Sequence, residues 1–237
     1  MYEAPRIIPC GDSAASVEFG QEIETAASDL VLGLDREVSR HRIHGVLETV
    51  PTYRSLLVHY DPLKTSFDTL VSELLEHCDL NTGPVTTNRV WEVPVFYGGE
   101  HGVDLHDLAD LHGISPEALV ERHTFADYRV CMIGFMPGFA YLSGLDEKLH
   151  TPRRRDPRPN APPGTISIGG QQTALQSVEG PSGWHWIGRT PLEVFSPTRR
   201  PMCLMEPGDI IRFSAISAGA WNAAHDRCVS LVEDAIR

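Results

Sequence analysis

The chain has 237 residues and a mass of 26.2 kDa, and 41% of it is hydrophobic, enough apolar material for a real core and too much for a disordered chain. Against 20 Lys plus Arg stand 32 Asp plus Glu, a net charge of -12 that would repel a polyanion over most of the surface, so general nucleic-acid binding is disfavoured. No stretch approaches the roughly 18 apolar residues of a membrane span, and Met1–Arg6 lacks the basic start and apolar run of a secretory signal, so a soluble, cytoplasmic protein is expected.

In chain order, Ile7 to Phe19 reads as a hairpin turning at Gly11-Asp12-Ser13, because apolar and β-branched residues flank residues that make turns cheaply. From Glu22 the period changes. Ile23, Ala26, Ala27, Leu30, Val31, Leu34 and Val38 recur on one helical face, which ends near Arg40. Gly45 to Tyr60 supplies two more strands around Pro51-Thr52, and Phe67, Leu70, Val71, Leu74, Leu75 and Cys78 mark a second amphipathic helix. Two strands, helix, two strands, helix give an α+β sandwich, of which a ferredoxin-like arrangement is the commonest small example. Asn81 to Asn88 reads as a linker, which sets the expected domains at 1–88 and 89–237.

Val90 to Tyr97 reads as a strand that contains a proline and hence as an edge; Leu105, Leu108 and Leu111 suggest a short helix closed by Gly113. Ser115-Pro116-Glu117 starts another, since Ser can cap and Pro fits the first turn. Beyond it come short strand candidates at Tyr128–Ile133, Thr165–Ile168, His185–Ile187, Leu192–Phe195 and Asp209–Phe213, a pattern of barrels and sandwiches. Trp221, Ala224, Cys228, Leu231, Val232 and Ala235 have the spacing of a terminal amphipathic helix.

The chemistry begins with absences. The sequence has no phosphate loop, no Gly-x-Gly-x-x-Gly, no Gly-x-Ser-x-Gly and no His-Glu-x-x-His, so any ATP chemistry is expected to involve a partner, and no metal site is evident. The five cysteines are widely separated and form no Cys-x-x-Cys pair, the pattern of reduced core thiols. Residues 151–164 hold Arg153, Arg154, Arg155 and Arg158 against Asp156, and five prolines restrict their backbone. That composition suits a fixed anion-binding or carboxylate-binding loop, and equally a solvated loop in a chain where all basic residues but Lys64 and Lys148 are Arg. Gly134-Phe135-Met136-Pro137-Gly138-Phe139-Ala140-Tyr141 alternates glycine with large rings, which can line a pocket or seal a barrel end. Trp184 and Trp186 fall on one strand face with His185 on the other, and core packing accounts for the tryptophans; Arg189, which follows a glycine, is less easily explained that way.

These stretches, in this order, resemble the family of the sporulation-kinase inhibitor KipI, subunit 1 of allophanate hydrolase and the B component of bacterial 5-oxoprolinase. The resemblance is carried by Gly11-Asp12-Ser13-Ala14, Tyr97-Gly98-Gly99, Gly102 with Asp104-Leu105, His123, Gly134 to Leu142, Thr151-Pro152-Arg153-Arg154, Pro157-Arg158, Pro163-Gly164, Gly169 to Thr173, Gly183-Trp184, Ile187 to Pro191 and Pro207-Gly208-Asp209. It implies a small N-terminal α+β domain and a C-terminal cyclophilin-like β-barrel, a fold that does not itself imply isomerase activity. It further implies a non-autonomous part of an ATP-dependent 5-oxoprolinase, an amidohydrolase opening a lactam to glutamate. Its partners would be a homologous-fold protein like that enzyme's C component and a lactam-utilisation protein like its A component. ATP would be bound with or by those partners. The family also contains allophanate hydrolase or urea-carboxylase-associated proteins and regulators that inhibit a histidine kinase.

On that resemblance Arg153, Arg158 and Arg189 would hold a substrate carboxylate or phosphorylated intermediate. Phe135, Pro137, Gly138, Phe139, Tyr141 and Trp184 would line the pocket, and Gln172 would recognise the amide. His123 is the candidate general acid or base, with a helix-terminal role as the alternative. The chain departs from the family's usual pattern at Gln176-Ser177, where a Tyr-Pro pair is common, and at Gly180 to Trp184.

Overall fold

In the computed structural model, which describes residues 1–83, 85 and 89–225, the chain opens with an antiparallel hairpin of β1 (Arg6–Pro9) and β2 (Ala14–Glu18). Helix α1 (Thr25–His41) follows and buries Ala27, Leu30, Val31, Leu34 and Val38; Ile23 lies before its first turn and is exposed. After β3 (Val46–Pro51) and β4 (Ser55–Tyr60), Ser66 caps α2 (Phe67–Glu76) by accepting the Thr69 N–H at 3.2 Å. The sheet order is β1-β2-β4-β3, antiparallel throughout. Strand β4 thus lies between β2 and β3, the two strands that α1 connects. The apolar stripes of both helices close over Ala15, Val17, Leu56 and Val58, and these residues share one core.

The chain divides into two compact units, residues 1–86 and 87–237. The second contains β5 (Val90–Tyr97), α3 (Leu105–His112), α4 (Pro116–Phe125), β6 (Asp127–Ile133), β7 (Ala140–Ser143), β8 (Arg158–Ala161), β9 (Thr165–Gly169), β10 (Gln172–Leu175), β11 (Gly180–Ser182), β12 (His185–Arg189) and β13 (Ile210–Ala215). Seven of these strands form a closed barrel in the order β10-β7-β6-β13-β5-β12-β9, and β8 pairs with β11 as a separate ribbon. With its sheet and helices in one unit and barrel and helices in the other, the chain is α+β. Val93, Val95, Val130, Leu142, Ile166, Ile168, Leu175, Ile187, Ile211 and Phe213 fill the barrel, with Leu105, Leu108 and Leu119 of the two helices packed in the same core.

Strand β5 is not an edge. It pairs with β13 in parallel from Val90 to Val95 and with β12 only at Phe96 and Tyr97, so Pro94 sits where the β12 ladder has ended and its missing N–H costs that ladder nothing. Leu192–Phe195 forms no strand and contributes only the bridge Phe195–Cys203. Of the expected terminal helix, Trp221 and Ala224 lie in a helical turn, while Cys228, Leu231, Val232 and Ala235 lie outside the described residues. No helix among the described residues is long and apolar enough to cross a membrane, and no group of three or more His, Cys, Asp or Glu side chains among them could hold a metal ion.

Candidate functional site

The proline-rich arginine segment is fastened to the barrel by a carboxylate. Asp104, just before α3, is 2% exposed. Its oxygens accept Arg158 Nη1 at 2.6 Å and Nη2 at 2.5 Å, Arg154 Nη1 at 2.9 Å and the backbone N–H of Trp186 at 2.8 Å. Burial pushes the Asp104 carboxyl upward. The Arg158 hydrogen bonds, the Trp186 N–H and the charges of Arg158 and Arg154 outweigh it and hold the group below the usual carboxylate range. Arg158 also lies over the Trp186 ring, 4.5 Å from its centroid. At the other end of α3, His112 Nε2 meets Thr151 Oγ1 at 2.8 Å; because that hydroxyl donates to Leu149 O, the imidazole is the donor. His185 Nε2 donates to Pro152 O at 3.0 Å. Arg154 and Arg158 are thereby turned inward, leaving Arg153 and Arg155 exposed.

Arg153 joins a continuous series of rings. Phe135 meets Phe139 at 5.6 Å between centroids, Phe139 meets Tyr141 at 4.7 Å, Tyr141 meets Trp184 at 5.8 Å, and the Arg153 guanidinium lies 5.5 Å from the Trp184 ring. Register explains the assembly. Tyr141 is directly opposite Ala174, and Ala174 opposite Ser167, so small residues leave room for the large ones beside them. Gly169 is required in the same way, since a Cβ there would stand 2.5 Å from the Trp184 ring. Burial raises the Tyr141 hydroxyl, and the charge of Arg153 pulls it back. Gln172 is buried at the start of β10, opposite Gly169.

A cavity of about 620 Å³ lies beside Arg189, lined also by Gly164, Ser177, Thr190, Phe195 and Trp221. Arg189 Nε donates to Pro163 O at 2.7 Å, which fixes the guanidinium while its plane approaches Trp221 at 5.9 Å. Pro137 and Gly138 join the aromatic loop to this cavity's wall. Ser177 Oγ donates to Pro137 O at 2.6 Å, and Gly138, with φ of +73°, passes so close to Phe195 that a Cβ would meet it at 2.7 Å.

His123 stands apart from all of these. It is fully buried, with Tyr97 Oη 2.8 Å from Nδ1 and Thr173 Oγ1 3.1 Å from Nε2. Thr173 donates to Ser167 O, so it accepts from Nε2–H, and Tyr97 donates to Nδ1. The ring stacks on Phe213 at 4.9 Å, and burial lowers its pKa to about 3. A neutral, fully buried imidazole with both nitrogens engaged ties α4 to β5 and β10. It has the properties of a core residue rather than of a proton carrier or a charged partner for the helix terminus.

The sequence reading therefore brings Phe135, Phe139, Tyr141, Trp184 and Arg153 together correctly as neighbours, with Pro137 and Gly138 linking them to Arg189. Arg158 is already occupied by Asp104. That carboxylate went unassigned in the sequence, as did Ser177 and Trp221; the signal for Asp104 was the local excess of four arginines over one aspartate, which needs a counter-charge from elsewhere.

Residues 5–205 match the family model of the carboxyltransferase domain, subdomain C and D. The chain is 46% identical over 204 residues to a protein of Escherichia coli O157:H7 named as the B subunit of 5-oxoprolinase, covering 86% of this chain and 92% of that one. It is 34% identical over 230 residues to a Bacillus subtilis protein of the same name, covering 90% and 93%. The solved structure of TTHA0988 superposes with a TM-score of 0.76 at 32% identity; it covers 86% of this chain, and this chain spans only 40% of its length.

Proposed function

The chain belongs to the carboxyltransferase-domain family of subdomains C and D, and from that premise we propose that it is the B component of an ATP-dependent 5-oxoprolinase. The observation that carries this reading is the 46% identity to the Escherichia coli B component over nearly the full length of both proteins. In this reading the chain works in the cytoplasm with a homologous-fold C component and a lactam-utilisation A component to open the 5-oxoproline ring to glutamate. The antiparallel order β1-β2-β4-β3 supports a ferredoxin-like N-terminal unit whose outer strand comes from the start of the chain, and the seven-stranded closed barrel supports a cyclophilin-like second unit.

The residues divide the work by what they already touch. Arg153 is exposed and has no carboxylate within ion-pair distance among the described residues, so its charge is available to the 5-oxoproline carboxylate. Phe139, Tyr141 and Trp184 offer a rigid apolar wall to the five-membered ring, and Phe135 extends it into solvent. Gln172 supplies an amide able to pair with the lactam, and Arg189 holds a second cation at the adjoining cavity. Arg158 acts indirectly, by locking the segment that presents Arg153.

ATP, when bound to the assembly, supplies the activation that an unreactive amide carbonyl lacks. The cavity beside Arg189 is a poor match for a polyphosphate, because Glu179 and Glu193 share its lining, and the roles given to this chain's residues are confined to binding and orienting the lactam.

The test is reconstitution. The purified chain alone should release no glutamate from 5-oxoproline and ATP, and addition of the C and A components should start the reaction. Turnover of allophanate in place of 5-oxoproline by that assembly, or robust turnover by the single chain, would overturn the reading.

A further inference from the structure

Phe135 combines two unfavourable features. Its φ of +69° is a left-handed backbone that a residue with a Cβ adopts only at a cost, and its ring is 63% exposed. The loop closes on itself through Gly134 N–H to Phe139 O and Phe139 N–H to Met136 O, both 3.1 Å. Those two bonds shape the turn without attaching it to the barrel.

The attachment comes from two buried side chains that follow β10. Ser177 Oγ donates to Pro137 O at 2.6 Å, and Gln176 Nε2 reaches Met136 Sδ at 3.5 Å. Both stand on a fixed base. Gln176 Nε2 also donates to Val178 O at 2.9 Å, its backbone N–H bonds Thr165 O at 2.9 Å, and its carbonyl accepts Gly164 N–H at 2.7 Å. On the opposite side the turn is confined by Gly138 against Phe195 and Met136 against Gly180. No lateral movement of Met136-Pro137 leaves these contacts intact, and Phe135 is the residue immediately before them.

We propose that Gln176 and Ser177 are positioning residues: they hold the Met136-Pro137 turn to the barrel, and so keep Phe135 in its left-handed conformation with the ring at the end of the aromatic wall, where it sets selectivity for the substrate. The substrate role rests on the 5-oxoprolinase reading. The positioning role rests on the hydrogen bonds alone.

The experiment compares amide hydrogen exchange in the full chain and its Ser177→Ala, Ser177→Thr and Gln176→Met variants. In Ser177→Ala, exchange at Gly134 and Phe139 should accelerate about tenfold, the size expected for one lost hydrogen bond. Ser177→Thr should restore protection, Gln176→Met should loosen the same two amides, and β5 and β13 should be unaffected. In the reconstituted complex, Ser177→Ala should raise KM for 5-oxoproline with little change in kcat, and adding Phe135→Ala to it should change nothing further. Unchanged exchange in Ser177→Ala, equal acceleration across the whole barrel, or fully additive effects of the two substitutions would overturn the proposal. If the wild-type complex does not consume 5-oxoproline, the functional reading fails, and the exchange comparison still decides the positioning.

Discussion

Asp104 and Arg158 lie 54 positions apart in the chain and form a two-pronged ion pair, Nη1 to Oδ2 at 2.6 Å and Nη2 to Oδ1 at 2.5 Å, beneath a segment that would otherwise be held by turns alone. The carboxylate is buried and the guanidinium only partly so, with 25% of the Arg158 side chain exposed, so the pair is strong in geometry and moderately screened.

The two partners are unequal. Asp104→Ala strands two cations and the Trp186 N–H at once and should cost on the order of 3 kcal/mol. Arg158→Ala leaves Asp104 paired with Arg154 and should cost roughly half as much. Chemical denaturation of both variants checks the order. A larger loss from Arg158→Ala would mean that its packing over Trp186, not the ion pair, holds the segment.

The buried imidazole makes stability pH-dependent in a defined window. His123 titrates near 3 in the folded chain and near 6.5 when unfolded, so below about pH 6.5 the unfolded state takes up a proton that the folded state refuses. Its contribution is complete above pH 6.5 and declines as pH falls toward 3, by up to about 1.4 kcal/mol per pH unit. Asp104, held below the usual carboxylate range, keeps its own contribution until the pH falls below about 4. His123→Gln should therefore be less stable at pH 7.5 yet lose less stability between pH 6.5 and 4.5. Parallel denaturation midpoints for the two proteins across that range would show that another group titrates.

What could be read from the sequence follows from how local each signal is. The stripes Leu30-Leu34-Val38 and Leu70-Leu74 are periodic within one element and place α1 and α2 almost to the residue; Ser115-Pro116 announces α4, and Ser115 Oγ indeed accepts the Ala118 N–H at 3.2 Å. Strands β7, β8 and β11 were not legible, because each is at most four residues long and gains its pairing from distant sequence: Tyr141 from Ala174, Arg158 from Ser182. The site divides similarly. Rings spaced closely in the chain, as in Phe135, Phe139 and Tyr141, were readable as one wall, whereas the clasp of Asp104 on Arg154 and Arg158 depends on a fold-level approach that no window reveals. His123 looked like chemistry because histidine titrates near neutrality, and burial among Tyr97, Tyr128 and Phe213 removes that property.

The last expectation separates the two kinds of arginine. Arg153 is exposed and lies against the face of Trp184, an interaction worth about 0.5–1 kcal/mol at such a site. Arg153→Ala should then leave the denaturation midpoint nearly unchanged, in contrast to Arg158→Ala. In the reconstituted complex the same substitution removes the cation proposed to meet the substrate carboxylate, and a charge-assisted hydrogen bond of about 2 kcal/mol corresponds to a roughly thirtyfold fall in kcat/KM. Arg153→Lys keeps the charge but loses the planar fork and should recover only part of that loss. Normal kinetics for Arg153→Ala in a normally folded protein would return the outward half of the segment to solvent and leave Arg189 as the cation facing the substrate.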